Sequence, residues 1–473
     1  MLTYDLSDRG DASLYEFLYA SIRDDIASGA LAADAKLPSK RQFARHLGVS
    51  VITVENAYAQ LIAEGYVRSQ ERRGFFVNPI AAPLSEPAPT PPPSVTESQA
   101  VPPAALLGDL ASNAMPAGIF PFSAWARAMR AVLSSATEDQ LAAQSHRFGS
   151  PALRREIAAY LHDYRGMVVD PRAIVVGAGA QVLYNLLIQL LGREAHYAVE
   201  DPGYPRLTRI YAANDVRLSH IPIDDGGIRA DLLADSGAHI AHVMTSHQYP
   251  TGIVTSIGRR YDLLAWAASE HGRFIIEDDY DVEFRLAGRP IPSMFSADTS
   301  DNVIYMNTFS KSLGTIFRVG FMVLPPRLAD EFDNRMAFYS STVSTIEQLT
   351  LARFIHSGAY ERHVNRLRKR YRTIRDSLIS ALEGSSLASV MTIRGQDAGL
   401  HFQLTLDLPV SGAEFAAPAL ESGVRLAPMS RFHRMSAHPA SAPSFVVSYG
   451  ALDESRIDDV VRALEAVASA IKA

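Results

Sequence analysis

The sequence predicts a multidomain chain: a small helix-turn-helix unit closed by a hairpin, then a large α/β region built on a mostly parallel sheet. Three observations predict this. Capped short helices with a tight Gly48-Val49-Ser50 turn fill residues 13–65, prolines crowd residues 79–103, and from Asp109 onward strand-like runs alternate with helical ones. The 473 residues are 47% hydrophobic and 20% charged, ordinary globular usage with room for two or three domains. Cysteine is absent, which excludes disulfides and thiolate metal sites; no metal site is expected. The opening MLTYDLSDRGD is acidic without an apolar h-region, and no apolar run reaches about 18 residues. The expected location is the cytoplasm, with no membrane partner.

The first unit is expected over residues 1–78. Ser13 and Glu16 form a capping box, and Leu14, Phe17, Leu18, Ile22 and Ile26 recur at helical spacing until Gly29. A second box, Ser39 to Gln42, opens a short helix ending at Gly48. Ser50 caps a third, with Val54, Ala57, Tyr58 and Leu61 on one face. The third helix would present Val51, Ile52, Thr53, Glu55 and Asn56 to base edges. YVRSQERRGFFV then alternates like a hairpin, with Arg72 and Arg73 near its tip. The net charge of -6 hides an asymmetry, because residues 36–78 carry seven basic side chains against Glu55, Glu64 and Glu71. Local positive charge beside a reading helix is what phosphate neutralisation requires, so the expected DNA-contacting residues are Lys40, Arg41, Ser50, Val51, Thr53, Asn56, Arg72 and Arg73.

The stretch LPSKRQFARHLGVSVITVENAYAQLIAEGYVRSQERRGFFV resembles the winged helix of the GntR superfamily of bacterial transcription regulators. That resemblance implies a double-stranded DNA operator of two half-sites. Many relatives carry arginine where this chain has Val51; an apolar side chain there can meet a thymine methyl but cannot read guanine bidentately.

Residues 79–108 are expected to form a linker. Nine of the 25 residues from Pro79 to Pro103 are proline, which favours an extended tether spanning at most about 80 Å.

In the large region, 109–473, the runs AIVV (173–176), HYAV (196–199), HIAHVM (239–244), RFII (273–276), NVIYM (302–306) and GFMVL (320–324) read as strands. Ligand sites in such sheets lie beyond the strands' carboxyl ends. After AIVV, Gly177-Ala178-Gly179-Ala180-Gln181 opens a helix suited to an anion. EDPGYPR puts Tyr204 and Arg206 at a proline-fixed turn, and SHQYPTG adds His247, Gln248 and Tyr249. EDDYD supplies acids, and since neighbouring strand residues face opposite ways, only one of Asp278 and Asp279 can point into a site. TFSKSLGTIFRVG then offers Lys311 among hydroxyls, with Arg318 close behind. A Schiff-base lysine, an acid for a pyridinium and anion donors converging on one sheet edge are the needs of pyridoxal phosphate.

RFGSPALRREIAAYL (147–161), VEDPGYPR, SHQYPTG, IIEDDYD and TFSKSLGTIFRVGFMVLP are similar to motifs of fold type I aminotransferases, and in this form to the MocR/GabR subgroup of GntR regulators, over nearly the whole chain. The resemblance implies a large subdomain at about 141–330 and a smaller α+β one at about 331–473, with pyridoxal 5'-phosphate as cofactor. It makes Lys311 the internal-aldimine lysine and Asp278 the pyridine-nitrogen partner, with Tyr280 on the phenolic oxygen and Tyr204 stacked on the ring. Ala180, Gln181, Thr308, Ser310 and Arg318 would hold the phosphate. It also implies a domain-swapped homodimer.

Two departures bear on activity. Tyr249 stands where the enzymes carry asparagine, and Val446, in SFVVSYGA, stands where they carry the arginine that clamps a substrate carboxylate. Arg206, Tyr249, Arg431 and His433 are left as effector candidates. The expected function is a pyridoxal-phosphate-dependent transcription regulator sensing a small molecule, either the cofactor itself or an amine or amino acid, with at most weak transaminase activity. The alternative is a working aminotransferase with an accessory DNA-binding domain.

Overall fold

The computed structural model describes residues 2–10, 12–79, 106–112, 114–115, 118–286, 292–397, 399–435 and 442–472. The tether expected at 79–108 falls almost wholly outside them. Two compact units form, residues 1–100 and 101–473. No helix among the described residues is long and apolar enough to cross a membrane.

In the first unit, α1 (Leu14–Ala27) starts at the reciprocal Ser13–Glu16 box. The strand β1 (Lys36–Leu37) leads into α2 (Lys40–Leu47), where the serine half of the second expected box forms, Ser39 accepting from the Gln42 N–H at 3.3 Å. Gly48, at φ 69°, supplies the left-handed cap that a side chain would strain. Ser50 caps α3 (Val51–Ala63), accepting from the Thr53 N–H at 3.0 Å. Strands β2 (Val67–Gln70) and β3 (Gly74–Val77) pair antiparallel, and β1 adds to β3. Leu18, Ile22, Phe43, Val54, Tyr58 and Leu61 are fully buried where the three helices meet. Each such side chain contributes roughly 1.5–3 kcal/mol by leaving water.

The second unit opens with β4 (Gly108–Asp109). Its main sheet holds β5 (Ile174–Gly177), β6 (His196–Asp201), β7 (Arg217–Asp224), β8 (Gly227–Ile228), β9 (Ile240–Val243), β10 (Phe274–Asp278), β11 (Val303–Thr308) and β12 (Gly320–Val323), in the order β5-β12-β11-β10-β9-β6-β7-β8. Strands β7, β6, β9, β10 and β11 run parallel, while β12 is antiparallel to both its neighbours. The sequence reading treated all six runs alike. The connection Phe309–Val319 is too short for a parallel crossover, which needs a dozen or more residues, so the chain turns back. That return brings the residues before β12 to the same edge as those after β11. Strand β7 was not foreseen, its RLSHIPID pattern being polar and carrying Pro222.

A second sheet holds β13 (Met391–Arg394), β14 (His401–Leu406), β16 (Ala427–Pro428) and β17 (Ser444–Ser448), while β15 (Val424–Arg425) pairs with β4. The passage between the lobes lies inside one helix, Ala359–Glu383. Its Tyr360 and Val364 pack with Trp125 and Phe354 of the large lobe, and its Leu367 to Leu382 face pack on the small sheet. Helix Thr345–His356 belongs to the large-lobe core, whereas Leu110 lies in that of the small lobe. The small subdomain expected from about 331 therefore starts later in the chain and recruits residues from before the large sheet.

Candidate functional site

A cavity of about 260 Å³ sits at the carboxyl ends of the parallel strands. Ala180, Gln181, Tyr204, Arg206, Tyr249, Asp278, Tyr280, Thr308, Ser310, Lys311 and Arg318 all line it. Two effector candidates do not: Arg431 is exposed with its charge reaching Tyr249, and His433 is half-buried.

Each element delivers its residue for a physical reason. Strand β5 ends in a glycine turn, and helix Ala180–Leu191 begins at Gly179 with no side-chain cap, leaving its first N–H groups for an anion. Gly179 sits at φ 84°, and a Cβ there would stand 3.3 Å from the Arg318 guanidinium, so helix start and arginine share one point. Arg318 arrives by the antiparallel return of β12.

The end of strand β10 separates Asp278 from Asp279, the residue that follows it. Asp279 turns away to the buried Arg165, 2.6 Å off, and accepts from the Tyr305 hydroxyl at 3.1 Å. Asp278 faces the cavity. Its Oδ2 accepts from Tyr184 and lies 3.4 Å from His242 Nε2, whose Nδ1 is 2.8 Å from the Tyr211 hydroxyl. Its Oδ1 is buried without a hydrogen-bond partner. A buried carboxylate oxygen left unpaired is costly, and a protonated ring nitrogen would satisfy it.

Lys311 stands on the short helix Ser310–Leu313 at the cavity wall. Burial lowers its pKa, Asp281 opposes that, and Arg206 lowers it further. The amine is thereby moved toward its neutral, nucleophilic form. Tyr204 presents its ring to the cavity, 5.8 Å from Tyr249, with the Arg206 guanidinium 6.0 Å above it.

Sequence reasoning missed Tyr184, Ser448 and His401. Tyr184 sits in VLYNLLIQLL, which read as plain core, and Ser448 reaches the lining from β17. Behind Lys311, His247 Nδ1 lies 2.8 Å from Asp281 and 3.2 Å from the Tyr280 hydroxyl, and the buried His401 ring lies 4.3 Å from that of His247. Among the described residues His247, Asp281 and His401 are a potential metal-ligand cluster, with ligand atoms within 4.8 Å of one another. That spread is wide for one ion with bonds near ~2 Å. Val446 is buried with Ala427, Met429 and Phe432, against Tyr249 and Ala111 of the cavity lining, so that side of the site is apolar.

One buried acid here has a measurable signature. Burial pushes the Glu200 carboxyl up to about 8, from an ordinary 4.5, although Gln248 and the Met244 N–H bond to it. Between those values the folded chain keeps a proton the unfolded chain has lost, so stability falls as pH rises through that window. Glu200→Gln retains an acceptor oxygen but cannot ionise. Thermal unfolding across that window is expected to show a flatter decline in the variant than in the parent.

On the first unit, Arg41, Asn56, Arg72 and Arg73 are exposed, and Arg72, at φ 62°, turns the hairpin tip. Lys40 is engaged by Glu55 at 2.7 Å, and Ser50 and Thr53 hydroxyls meet at 2.8 Å. Val51 is 41% exposed.

A winged helix joined in one chain to a lobe with this strand-end cavity defines a regulator built on an enzyme-like ligand domain. Family models match accordingly: "Bacterial regulatory proteins, gntR family" at residues 14–77, and "Aminotransferase class I and II" at residues 107–464. The uncharacterized HTH-type transcriptional regulator YdeL of Bacillus subtilis is 37% identical, covering 96% of this chain and 97% of its own. The HTH-type pyridoxine biosynthesis transcriptional regulator PdxR of Corynebacterium glutamicum is 33% identical, covering 83% of each chain. The multiple substrate aminotransferase from Thermococcus profundus superposes with a TM-score of 0.68 at 23% identity, covering 78% of this chain and 92% of that one. The chain belongs to the MocR/GabR subgroup of the gntR family: it is an HTH-type transcription regulator with an aminotransferase-like domain of fold type I. Regulators of the gntR type bind DNA, and the aminotransferase class is in general pyridoxal-phosphate-dependent.

Proposed function

We propose that this regulator binds pyridoxal 5'-phosphate in the strand-end cavity and changes its hold on DNA when a small molecule reaches Lys311. The observation that carries the reading is the buried, unpartnered Asp278 Oδ1 in the same cavity as Lys311, the free start of helix Ala180–Leu191 and Arg318. The bound cofactor supplies an aldehyde that condenses with primary amines. The chain's residues do the rest. Lys311 offers the amine, and Asp278, steadied by Tyr184 and His242, would hold a proton on the ring nitrogen. Tyr280 would hydrogen-bond the phenolic oxygen, and Tyr204 would cover the ring face. Ala180, Gln181, Thr308, Ser310 and Arg318 take the phosphate.

The apolar side formed by Val446, Ala427 and Phe432 offers no clamp for an α-carboxylate, which leaves Arg206 as the charged group for an effector's anionic end. That favours a primary amine, or the cofactor itself, over an ordinary α-amino acid. The name of the pyridoxine biosynthesis relative supports cofactor sensing. An effector shifts the protein only if it binds the DNA-competent and incompetent states unequally. The partner is a double-stranded operator of two half-sites read by a domain-swapped homodimer.

Incubating the holoprotein with a panel of amines and amino acids, while following the cofactor's visible band and DNA anisotropy, tests the reading. Amines are expected to move both signals without sustained keto-acid release. Fast multiple-turnover keto-acid formation would overturn it in favour of a working aminotransferase.

A further inference from the structure

The exposed face of α3 lacks the side chains that usually read guanine. Its sequence, VITVENAYAQLIA, has no lysine or arginine. The first two residues are large, apolar and exposed, Val51 at 41% and Ile52 at 68%. The one charge on that face, Glu55, is engaged by Lys40 from α2 at 2.7 Å. The hydroxyls of Ser50 and Thr53 are directed to each other and to the helix start. The exposed cations of this unit stand on other elements, Arg41 on α2 and Arg72 and Arg73 at the hairpin tip.

Exposed cations off the reading helix suit phosphates, which carry no sequence information. An apolar tip at the start of a reading helix suits the one apolar group on a major-groove base edge, the C5-methyl of thymine. Guanine would leave its O6 and N7 acceptors facing hydrocarbon, a desolvation without return.

We propose that Val51 and Ile52 read thymine methyl groups, so that each half-site carries thymine at the positions facing the start of α3. This rests on the DNA-binding reading of the first unit. Specificity here comes from methyl burial, and affinity from the exposed arginines of α2 and the hairpin tip.

The test begins with selection of sites from a randomised duplex library by the full-length protein. In a selected duplex, thymines are replaced one at a time by deoxyuracil, which removes only the methyl. At one or two positions per half-site the affinity is expected to fall about fourfold, the factor given by ~0.8 kcal/mol for one buried carbon. Val51→Ala and Ile52→Ala should weaken binding to the thymine duplex and lose most of that effect on the uracil duplex. Arg41→Ala should weaken both duplexes equally and reduce the salt dependence. Equal binding of thymine and uracil duplexes by the parent, with Arg41→Ala still weakening both, overturns methyl reading and leaves DNA binding intact. Failure to enrich any sequence, with no salt-dependent binding, overturns both.

Discussion

Replacing Lys311 by alanine is expected to abolish the absorbance band of the lysine-linked cofactor and, with it, the response of DNA binding to effector. The reason is chemical and not structural. Lys311 is the amine lining a cavity whose burial and neighbouring Arg206 lower its pKa, which raises the neutral fraction available to attack a carbonyl. Alanine removes that nucleophile while leaving Asp278, Arg318 and the start of helix Ala180–Leu191 in place. The cofactor should still bind, less tightly and without covalent attachment, and the fold should persist. Absorbance spectroscopy and a reporter assay on the same variant check the two halves together. A variant that lost the band yet responded normally would remove Lys311 from the sensing step.

Asp278→Asn is expected to weaken cofactor binding by one to two orders of magnitude, the effect of about 1.5–3 kcal/mol for a hydrogen bond involving a charged group. An asparagine oxygen can still accept from Tyr184 and stay near His242, so the side chain should remain where it is. What is lost is the negative charge that favours a protonated ring nitrogen. Equilibrium titration of the apoprotein measures the change, and Asp279→Asn is the contrast. Asp279 faces Arg165, so its replacement should cost stability by stranding a buried guanidinium, with little direct effect on the cavity. Equal cofactor affinity in parent and Asp278→Asn would contradict the assigned role.

Much of this was legible because local chemistry marks it. Caps at Ser13, Ser39 and Ser50 announce helices by their hydroxyls, and the loops after buried strands carry the polar residues that line the cavity. Alternation along β10 and into the residue after it predicted that Asp278 and Asp279 would part, and they do. Other features depend on partners distant in sequence. Tyr184 looks like one more apolar position until the sheet brings Asp278 beneath it. His401 joins His247 and Asp281 only because β14 lies against the loop after β9. Helix Ala359–Glu383 keeps one periodicity while its buried face passes from one lobe to the other, so the lobe border leaves no mark in the sequence. The reversal of β12 was readable from the length of Phe309–Val319, a signal that the strand-by-strand reading passed over.

The proposed sensing turns on one question of connectivity, namely which residue would hold the cofactor. Reducing the full-length protein with borohydride in the presence of pyridoxal phosphate, and mapping its peptides by mass spectrometry, answers it directly. The pyridoxyl group is expected on Lys311 alone, in the peptide that also contains Ser310 and Ser312. An unmodified Lys311, with the group on another lysine or on none, would contradict the claim that this regulator senses through it.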